Sequence, residues 1–250
     1  MKRILVPSRD IADWPSPVGS GGTEGDARAA ELLAHSWQAA GGFPPVVQEL
    51  FSQSGVAALE TAEVLLAVPG WEVVLPGGGP PRASGLMVLA ACEVDEQPEL
   101  LVVLVEGHAY DVGDQTVGER EAACRPSEGR RLAAVLDLLD LCYAPPQALD
   151  DVPCGLLEHV AATVITAREF TARHALALDH SFGAASGAET HLAHLVDLMS
   201  SAAQSGDTTT GPIGLRPGSD TRPAVANDRL AGPVELVGVS TYLARLNDLG

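Results

Sequence analysis

Polar and acidic side chains follow directly on the apolar run of residues 100–105, in the segment EGHAYDVGDQTVG. The run is typical of a buried strand, and the glycines after it let the backbone come close to a ligand. Carboxylate, imidazole, amide and hydroxyl groups in such a loop can bind a metal ion, or the ribose and phosphates of a nucleotide. The segment is therefore the first candidate for a functional site.

A metal site is one interpretation of this loop, because His108 and Asp111 stand close together in it. The sequence GHAYD resembles the GHxD-type loop of zinc exopeptidases, which implies a zinc-dependent exopeptidase-like protein, active or inactive. That chemistry also needs a bridging carboxylate, an acid/base glutamate and another histidine. Downstream, the one glutamate in a plausible region is Glu128. A surface loop without a ligand is the alternative.

A nucleotide site is the second interpretation of the loop. Small residues permit close approach of phosphates to backbone N–H groups, and polar side chains can contact ribose and phosphate. The residues of these two kinds are Gly107, Ala109, Gly113, Gly118, Asp111, Asp114, Gln115 and Thr116. Their chemistry fits a nucleotide, but their spacing matches no phosphate-binding motif such as G-x-G-x-x-G.

Other catalytic patterns are weak in this sequence. It has no G-x-S-x-G nucleophile motif, and the glycine-rich segment PGGGPP lacks the Lys and Ser/Thr of a phosphate-binding loop. The spacing of His191 and His194 places both on one helix face, where they could bind a metal or face a partner. The four cysteines form no C-x-x-C pair, so a structural zinc site is not expected.

Composition narrows the class of protein. The chain has 250 residues, 46% of them hydrophobic, and its net charge is −18. The 15 Lys and Arg residues are few for contacts with a phosphate backbone, so we expect no nucleic-acid partner. The apolar run at the N-terminus is too short for a signal peptide, and no run is long enough for a membrane span. These features and the unpaired cysteines predict a cytoplasmic protein.

Predicted strands and helices, which must position the candidate site residues, alternate along the first 145 residues. Apolar spacing and flanking turns predict strands at 4–6, 46–51, 71–75 and 100–105, and helices at 23–40, 56–68, 82–94 and 130–141. Such alternation predicts a parallel sheet with helices on both faces. Ligands bind such sheets beyond the carboxyl ends of the strands, which is where the loop after residue 105 would lie.

The second half is less regular. A helix is expected at 189–203, a segment poor in apolar residues follows from 205, and residues 242–249 are expected to form a short helix. We expect an α/β nucleotide-binding domain over residues 1–204 and an extended arm with a C-terminal helix over residues 205–250.

The chain resembles the electron transfer flavoprotein beta subunit along most of its length. The resemblance is carried by EQPEL, GHAYD and GDQTVG around the loop, by MKRILVPSRDIAD and DARAAELL before it, and by ETHLAHLVDLM and NDRLAGPVEL after it. It implies a parallel-sheet adenine-nucleotide-binding domain, Rossmann-like and nucleotide alpha hydrolase-like, with an irregular C-terminal arm. It also implies a heterodimer with an alpha subunit and electron transfer from acyl-CoA or related dehydrogenases, without catalytic residues.

The same resemblance implies ligands and their contacts. FAD would be shared with the alpha subunit, and AMP or a second FAD would lie in this chain. The implied nucleotide contacts are Pro7, Gly22, Thr23, Glu24, Gly25, Ser52, Gly107, His108, Ala109, Tyr110, Asp111, Val112, Gly113, Asp114, Gln115 and Thr116. Leu195 would be the apolar anchor that docks into a dehydrogenase, and an ordinary core leucine is the alternative.

Overall fold

A computed structural model of the chain describes residues 14, 24–108, 115–123, 126–182, 191, 194–199, 213–215, 234–236 and 239–248. For residues 24–26, 126–127, 181 and those after 199 the description covers the backbone alone. The strand expected at residues 4–6 lies outside these ranges, as does most of the arm expected from residue 205.

Helices account for much of the described part. They are α1 (Glu24–Ala40), α2 (Pro45–Gln53), α3 (Ala57–Glu60), α4 (Val117–Ala122), α5 (Pro126–Leu138), α6 (Pro146–Leu149) and α7 (Cys154–Glu169). Residues 194–199 form a further helical segment inside the helix expected at 189–203. The helices expected at 23–40 and 130–141 correspond to α1 and to most of α5, because their apolar spacing matches the helical period. None of the described helices has the length and apolar character needed to cross a membrane.

The strands form one mixed sheet. They are β1 (Glu63–Val73), β2 (Arg82–Val94), β3 (Gln97–His108), β4 (His174–Phe182), β5 (Ile213–Leu215), β6 (Val234–Leu236) and β7 (Val239–Asp248). The order is β1-β2-β3-β4-β7-β5, and β6 also pairs with β7. β1, β2 and β3 are mutually antiparallel, whereas β3, β4 and β7 run parallel. The protein is thus α/β as expected, but the expected all-parallel sheet is corrected to a mixed one.

Helices cover both faces of the sheet. On one face α1 packs against β3 and α3 against β2, with Leu33 and Trp37 in the core. On the other face α7 packs against β2, β3 and β4, with Leu157 and Val160 in the core, and α5 packs against α7. Since β2 and β3 are buried on both faces, their sequences are nearly continuous apolar runs.

This double burial explains the largest error in the predicted elements. Residues 82–94 were expected to be helical but form β2, because a strand covered on both faces loses the alternation that distinguishes it from a buried helix. The helix expected at 56–68 is limited to α3, and its second half belongs to β1, which forms an antiparallel hairpin with β2. Tertiary pairing therefore outweighs local helical propensity in both segments.

Two further segments also differ from expectation. The strand expected at 46–51 is helix α2, where Pro45 occupies the first turn and Val47, Leu50 and Phe51 bury one face. Within the helix expected at 242–249, residues 242–248 belong to β7 and pair with β4. Sheet pairing supplies the backbone hydrogen bonds that a helix would otherwise form.

Candidate functional site

Two acidic side chains meet where β3 and β4 end. Glu106 and His108 lie two residues apart near the end of β3, so they point to the same face of the sheet. The two strands are parallel, and Asp179 on β4 is the register partner of Glu106. Parallel pairing therefore places both carboxylates and the imidazole on the side that faces α7.

These three side chains have the geometry of a metal site. One ligand atom from each of Glu106, His108 and Asp179 can be chosen so that all three lie within 4.8 Å of one another. Ligands of a single ion with bonds of about 2.0–2.2 Å lie at most roughly 4.4 Å apart. His108 Nε2 already lies 3.5 Å from Asp179 Oδ1. Small side-chain movements would thus bring three ligands around one ion.

A fourth side chain completes this group from helix α7. His159 is 1% exposed, and its Nδ1 lies 3.3 Å from Glu106 Oε1. Its Nε2 is buried and has no hydrogen-bond partner among the described residues. A buried polar nitrogen without a partner is costly, so it points to a ligand or an ordered water as its missing partner.

The charges around the two carboxylates favour their ionised forms. Burial alone raises the pKa of Glu106, but the charges of Arg82 and His159 outweigh it and hold that pKa far below its usual value. Burial likewise raises the pKa of Asp179, and the contact with His108 outweighs it, so this pKa is lowered as well. Both groups therefore remain anionic at neutral pH, as metal ligands must be.

We predict an acid branch in the stability profile that depends on Glu106. Its folded pKa lies below the ordinary value of 4.5, so the unfolded state binds more protons once the pH falls towards that value. Its contribution is fully present above about pH 5 and is lost as the pH falls further. Urea unfolding at a series of pH values should show a shallower acid decline for Glu106→Gln than for wild type, and equal slopes would contradict the prediction.

Three arginines converge on one glutamate beside this group. Glu158 on α7 contacts Arg120 at 2.9 Å, Arg131 at 3.2 Å and Arg82 at 3.6 Å. Arg82 also forms an ion pair with Glu106, so the arginine cluster and the carboxylate group share a residue. Three guanidinium groups therefore meet at one carboxylate, next to the candidate metal ligands.

Local structure positions the arginines. Thr116 is the N-cap of α4 and forms a capping box with Glu119, which fixes the short helix that carries Arg120. Arg131 Nη1 donates a hydrogen bond of 2.6 Å to the carbonyl oxygen of Pro80. That carbonyl belongs to the glycine-rich segment PGGGPP, which packs against α5. The segment is therefore a structural support for Arg131.

We expect Gly77→Ala to be destabilising, because this segment has no room for a side chain there. Gly77 has a φ of +84°, and a Cβ would lie 2.6 Å from the carbonyl oxygen of Arg130 and from Arg131 Cα. We predict a loss of roughly 1–3 kcal/mol in the free energy of unfolding. The control is Gly129→Ala within α5, which meets nothing within 4 Å and should gain about 0.5–1 kcal/mol. Urea denaturation of both variants would check the contrast, and equal effects would contradict it.

Much of the predicted nucleotide site falls outside the described residues. Those positions are Pro7, Gly22, Thr23, Ala109, Tyr110, Asp111, Val112, Gly113 and Asp114. Glu24 and Gly25 begin α1, and the structure describes only their backbone. Binding of AMP or FAD and the role of an electron transfer flavoprotein beta subunit therefore stay predictions.

The predicted residues that are described lie in different settings. Gly107 packs against α1, since a Cβ there would lie 3.1 Å from the carbonyl oxygen of Ala29. Ser52 is exposed on α2, not after a strand, and its Oγ donates to the carbonyl oxygen of Glu49. Gln115 is exposed and its carbonyl oxygen accepts from the Cys154 N–H. Of the implied contacts, His108 is the side chain that the structure brings to the carboxylate group.

Leu195 is completely buried in the core on the α7 side of the sheet. This position agrees with the core alternative, and docking of this side chain into a dehydrogenase stays a prediction. A fully buried leucine cannot insert into a partner without leaving its own core.

Sequence reasoning missed most members of the group. Asp179, His159, Glu158 and Arg82 come from segments far apart in the chain. One signal was available for Asp179, because ALALD repeats the pattern of VVLVE, an apolar run that ends in an acid. Two buried strands ending in acids predict adjacent carboxylates if the strands are parallel neighbours. The arginines had no comparable signal.

The chain belongs to the family described as Domain of unknown function (DUF6946), whose sequence model matches residues 7–224. No curated protein and no solved structure matches the chain.

Proposed function

We propose that this protein is a divalent-metal-dependent hydrolase of phosphate esters. The observation that carries the proposal is the convergence of Glu106, His108 and Asp179 within 4.8 Å at the ends of two parallel strands. The buried Nε2 of His159, which has no hydrogen-bond partner in the described part of the chain, independently indicates a missing ligand or water. The proposal keeps His108 as a metal ligand, as in the zinc interpretation of the loop, but the other ligands differ from those of that interpretation.

The ligand set suits a transition metal. Two carboxylates and one imidazole combine oxygen and nitrogen donors, which Mn²⁺ and Zn²⁺ accept readily. Ca²⁺ takes six to eight oxygen ligands, and Mg²⁺ also prefers oxygen. We therefore expect Mn²⁺ or Zn²⁺ to bind more tightly than Ca²⁺.

The arginine cluster indicates the substrate class. Guanidinium groups match the geometry of phosphate oxygens and form charge-assisted hydrogen bonds with them. Arg82, Arg120 and Arg131 meet at Glu158, and Arg82 joins this cluster to Glu106. A phosphate ester would offer anionic oxygens to these guanidinium groups, and its phosphorus would lie near the carboxylate group. A neutral peptide bond offers no such anionic oxygens.

The proposed reaction is the addition of water across a phosphate ester bond. Glu106, His108 and Asp179 would hold the ion, which when bound would supply a more acidic water and polarise a phosphoryl oxygen. His159 takes a proton from the attacking water as the new P–O bond forms and the P–O bond to the alcohol breaks. The alcohol oxygen leaves with the bonding electron pair and receives the proton that His159 took from the water, so that the net change is the addition of one water and no oxidant or reductant is needed. Arg120 and Arg131 hold the phosphoryl oxygens and stabilise the charge that develops on them.

The experiment starts from the full chain, stripped of metal by a chelator. Calorimetric titration with Mn²⁺, Zn²⁺ and Ca²⁺ should give one tight site for the first two ions. Hydrolysis of p-nitrophenyl phosphate and bis(p-nitrophenyl) phosphate should require the added ion and stop on chelation. Hydrolysis of aminoacyl p-nitroanilides instead would support the exopeptidase alternative. Absence of both metal binding and hydrolysis, with flavin or AMP in the purified protein, would favour the electron-transfer prediction.

A further inference from the structure

We propose that Arg82 is an exchangeable counter-cation, which occupies Glu106 when no metal is bound and moves onto Glu158 when a divalent ion takes its place. This inference rests on the proposed function, since it concerns how the same site is regulated. It assigns to Arg82 the role of setting metal affinity, as a positioning residue that contacts no reacting atom in its exchanged position.

The contacts of Arg82 allow such an exchange. Its Nη2 forms the ion pair with Glu106 Oε1, while its Nη1 lies 3.6 Å from Glu158 Oε2. The guanidinium therefore already lies between two carboxylates, and it can lose one without becoming a buried charge with no counter-ion. Arg82 is the first residue of β2.

Burial explains why Glu106 needs a cation at all times. The side chains of Glu106 and Arg82 are only 15% and 16% exposed. A carboxylate in this environment is costly unless it is paired. His159 Nδ1 contacts the same oxygen of Glu106 as Arg82 does, but an imidazole carries a full positive charge only when protonated. Arg82 is permanently charged, so it serves as the counter-ion in the absence of metal.

Charge repulsion explains why Arg82 and the ion compete. A divalent ion bound to Glu106 and Asp179 would lie a few ångströms from the guanidinium in its present position. At that distance the repulsion between the two charges exceeds thermal energy even with strong dielectric screening. Binding of the ion therefore has to displace Arg82, and the ion pair with Glu106 lowers the observed metal affinity.

The test compares Mn²⁺ affinity by calorimetry in the full-length wild type and three variants. Arg82→Gln removes the competing charge and should bind Mn²⁺ at least about tenfold more tightly. Arg82→Lys keeps the charge and should stay within about threefold of wild type. Arg28→Gln makes the same charge change at an exposed ion pair with Glu31 on α1, and it should leave the affinity unchanged.

A second measurement covers the case in which Arg82→Gln folds poorly. Thermal unfolding followed by circular dichroism should then show that Mn²⁺ raises the unfolding midpoint more in Arg82→Gln than in wild type, because the ion replaces the missing counter-ion. Equal or weaker Mn²⁺ binding in Arg82→Gln would overturn the proposal and would mean that Arg82 orients Glu106 instead. Failure of Mn²⁺ to bind or stabilise either protein would overturn it too.

The inference and the proposed function fail separately. Tighter Mn²⁺ binding in Arg82→Gln, without hydrolysis of any phosphate ester by wild type, would support the exchange and contradict the function. Metal-dependent hydrolysis by wild type, with unchanged Mn²⁺ affinity in Arg82→Gln, would do the reverse.

Discussion

Glu106→Gln and Asp179→Asn are each expected to abolish metal-dependent hydrolysis. Each change removes a charged ligand while keeping the size of the side chain. Losing even an outer partner of a metal ligand typically costs about 10–100-fold in metal affinity or activity, so we expect a loss of at least about 100-fold for a direct ligand. Mn²⁺ titration and hydrolysis of p-nitrophenyl phosphate would measure the two effects in parallel.

Glu99→Gln provides the matched control for these variants. Glu99 lies on the same strand β3, and its Oε2 lies 2.5 Å from Nε2 of His174, the first residue of β4. Glu99 is thus also a carboxylate that pairs with a histidine across β3 and β4. It lies at the end of these two strands that is opposite to the candidate site. Metal affinity should be unchanged in Glu99→Gln. If Glu106→Gln behaved like Glu99→Gln in both assays, the metal site would be wrongly placed.

Glu158→Gln is expected to cause the largest loss of stability. Glu158 is 13% exposed and is the shared partner of Arg82, Arg120 and Arg131. Removing one partner of a buried ion pair while leaving the other typically costs about 3–5 kcal/mol. We predict a loss in this range in the free energy of unfolding from urea denaturation at pH 7. Inorganic phosphate should restore part of it, because it supplies the arginines with a new anion.

The exposed ion pair between Glu31 and Arg28 on α1 serves as the comparison for this loss. Its two side chains are 50% and 52% exposed, and the pair spans 2.7 Å. Exposed pairs of this kind contribute about 0–1 kcal/mol, so Glu31→Gln should change stability by no more than that. Similar losses in Glu31→Gln and Glu158→Gln would show that burial does not determine the contribution of Glu158.

The prediction of elements from sequence succeeded for α1, α5 and β3. The amphipathic spacing of α1 and α5 identified both helices, and a short apolar run that stops before Glu106 identified a buried strand. The prediction failed for β2, because a strand buried on both faces carries no alternating pattern and the length of its apolar segment favoured a helix. The same error hid the β1–β2 hairpin, and an all-parallel sheet followed from it.

The resemblance to the electron transfer flavoprotein beta subunit pointed to a segment that also supplies a residue of the candidate site. The site residues that it implied are nevertheless a different set. It emphasised the loop from Gly107 to Thr116, much of which lies outside the described residues. The described group instead uses His108 together with the acid that precedes Gly107. The resemblance concerned residues that follow one another along one segment. The candidate site instead combines residues from β2, β3, β4 and α7.

By itself, the sequence determined that residues 100–105 form a buried strand and that acidic and polar residues follow it directly. The structure extends β3 to His108, so that the two-residue period of a strand places Glu106 and His108 on one face. The tertiary structure alone decided that Asp179 lies beside Glu106, that His159 covers both, and that three arginines meet at Glu158. Those contacts depend on which strands are neighbours and on where α7 crosses them. A local pattern does not encode such pairings, because they arise from the packing of the whole chain around its two cores.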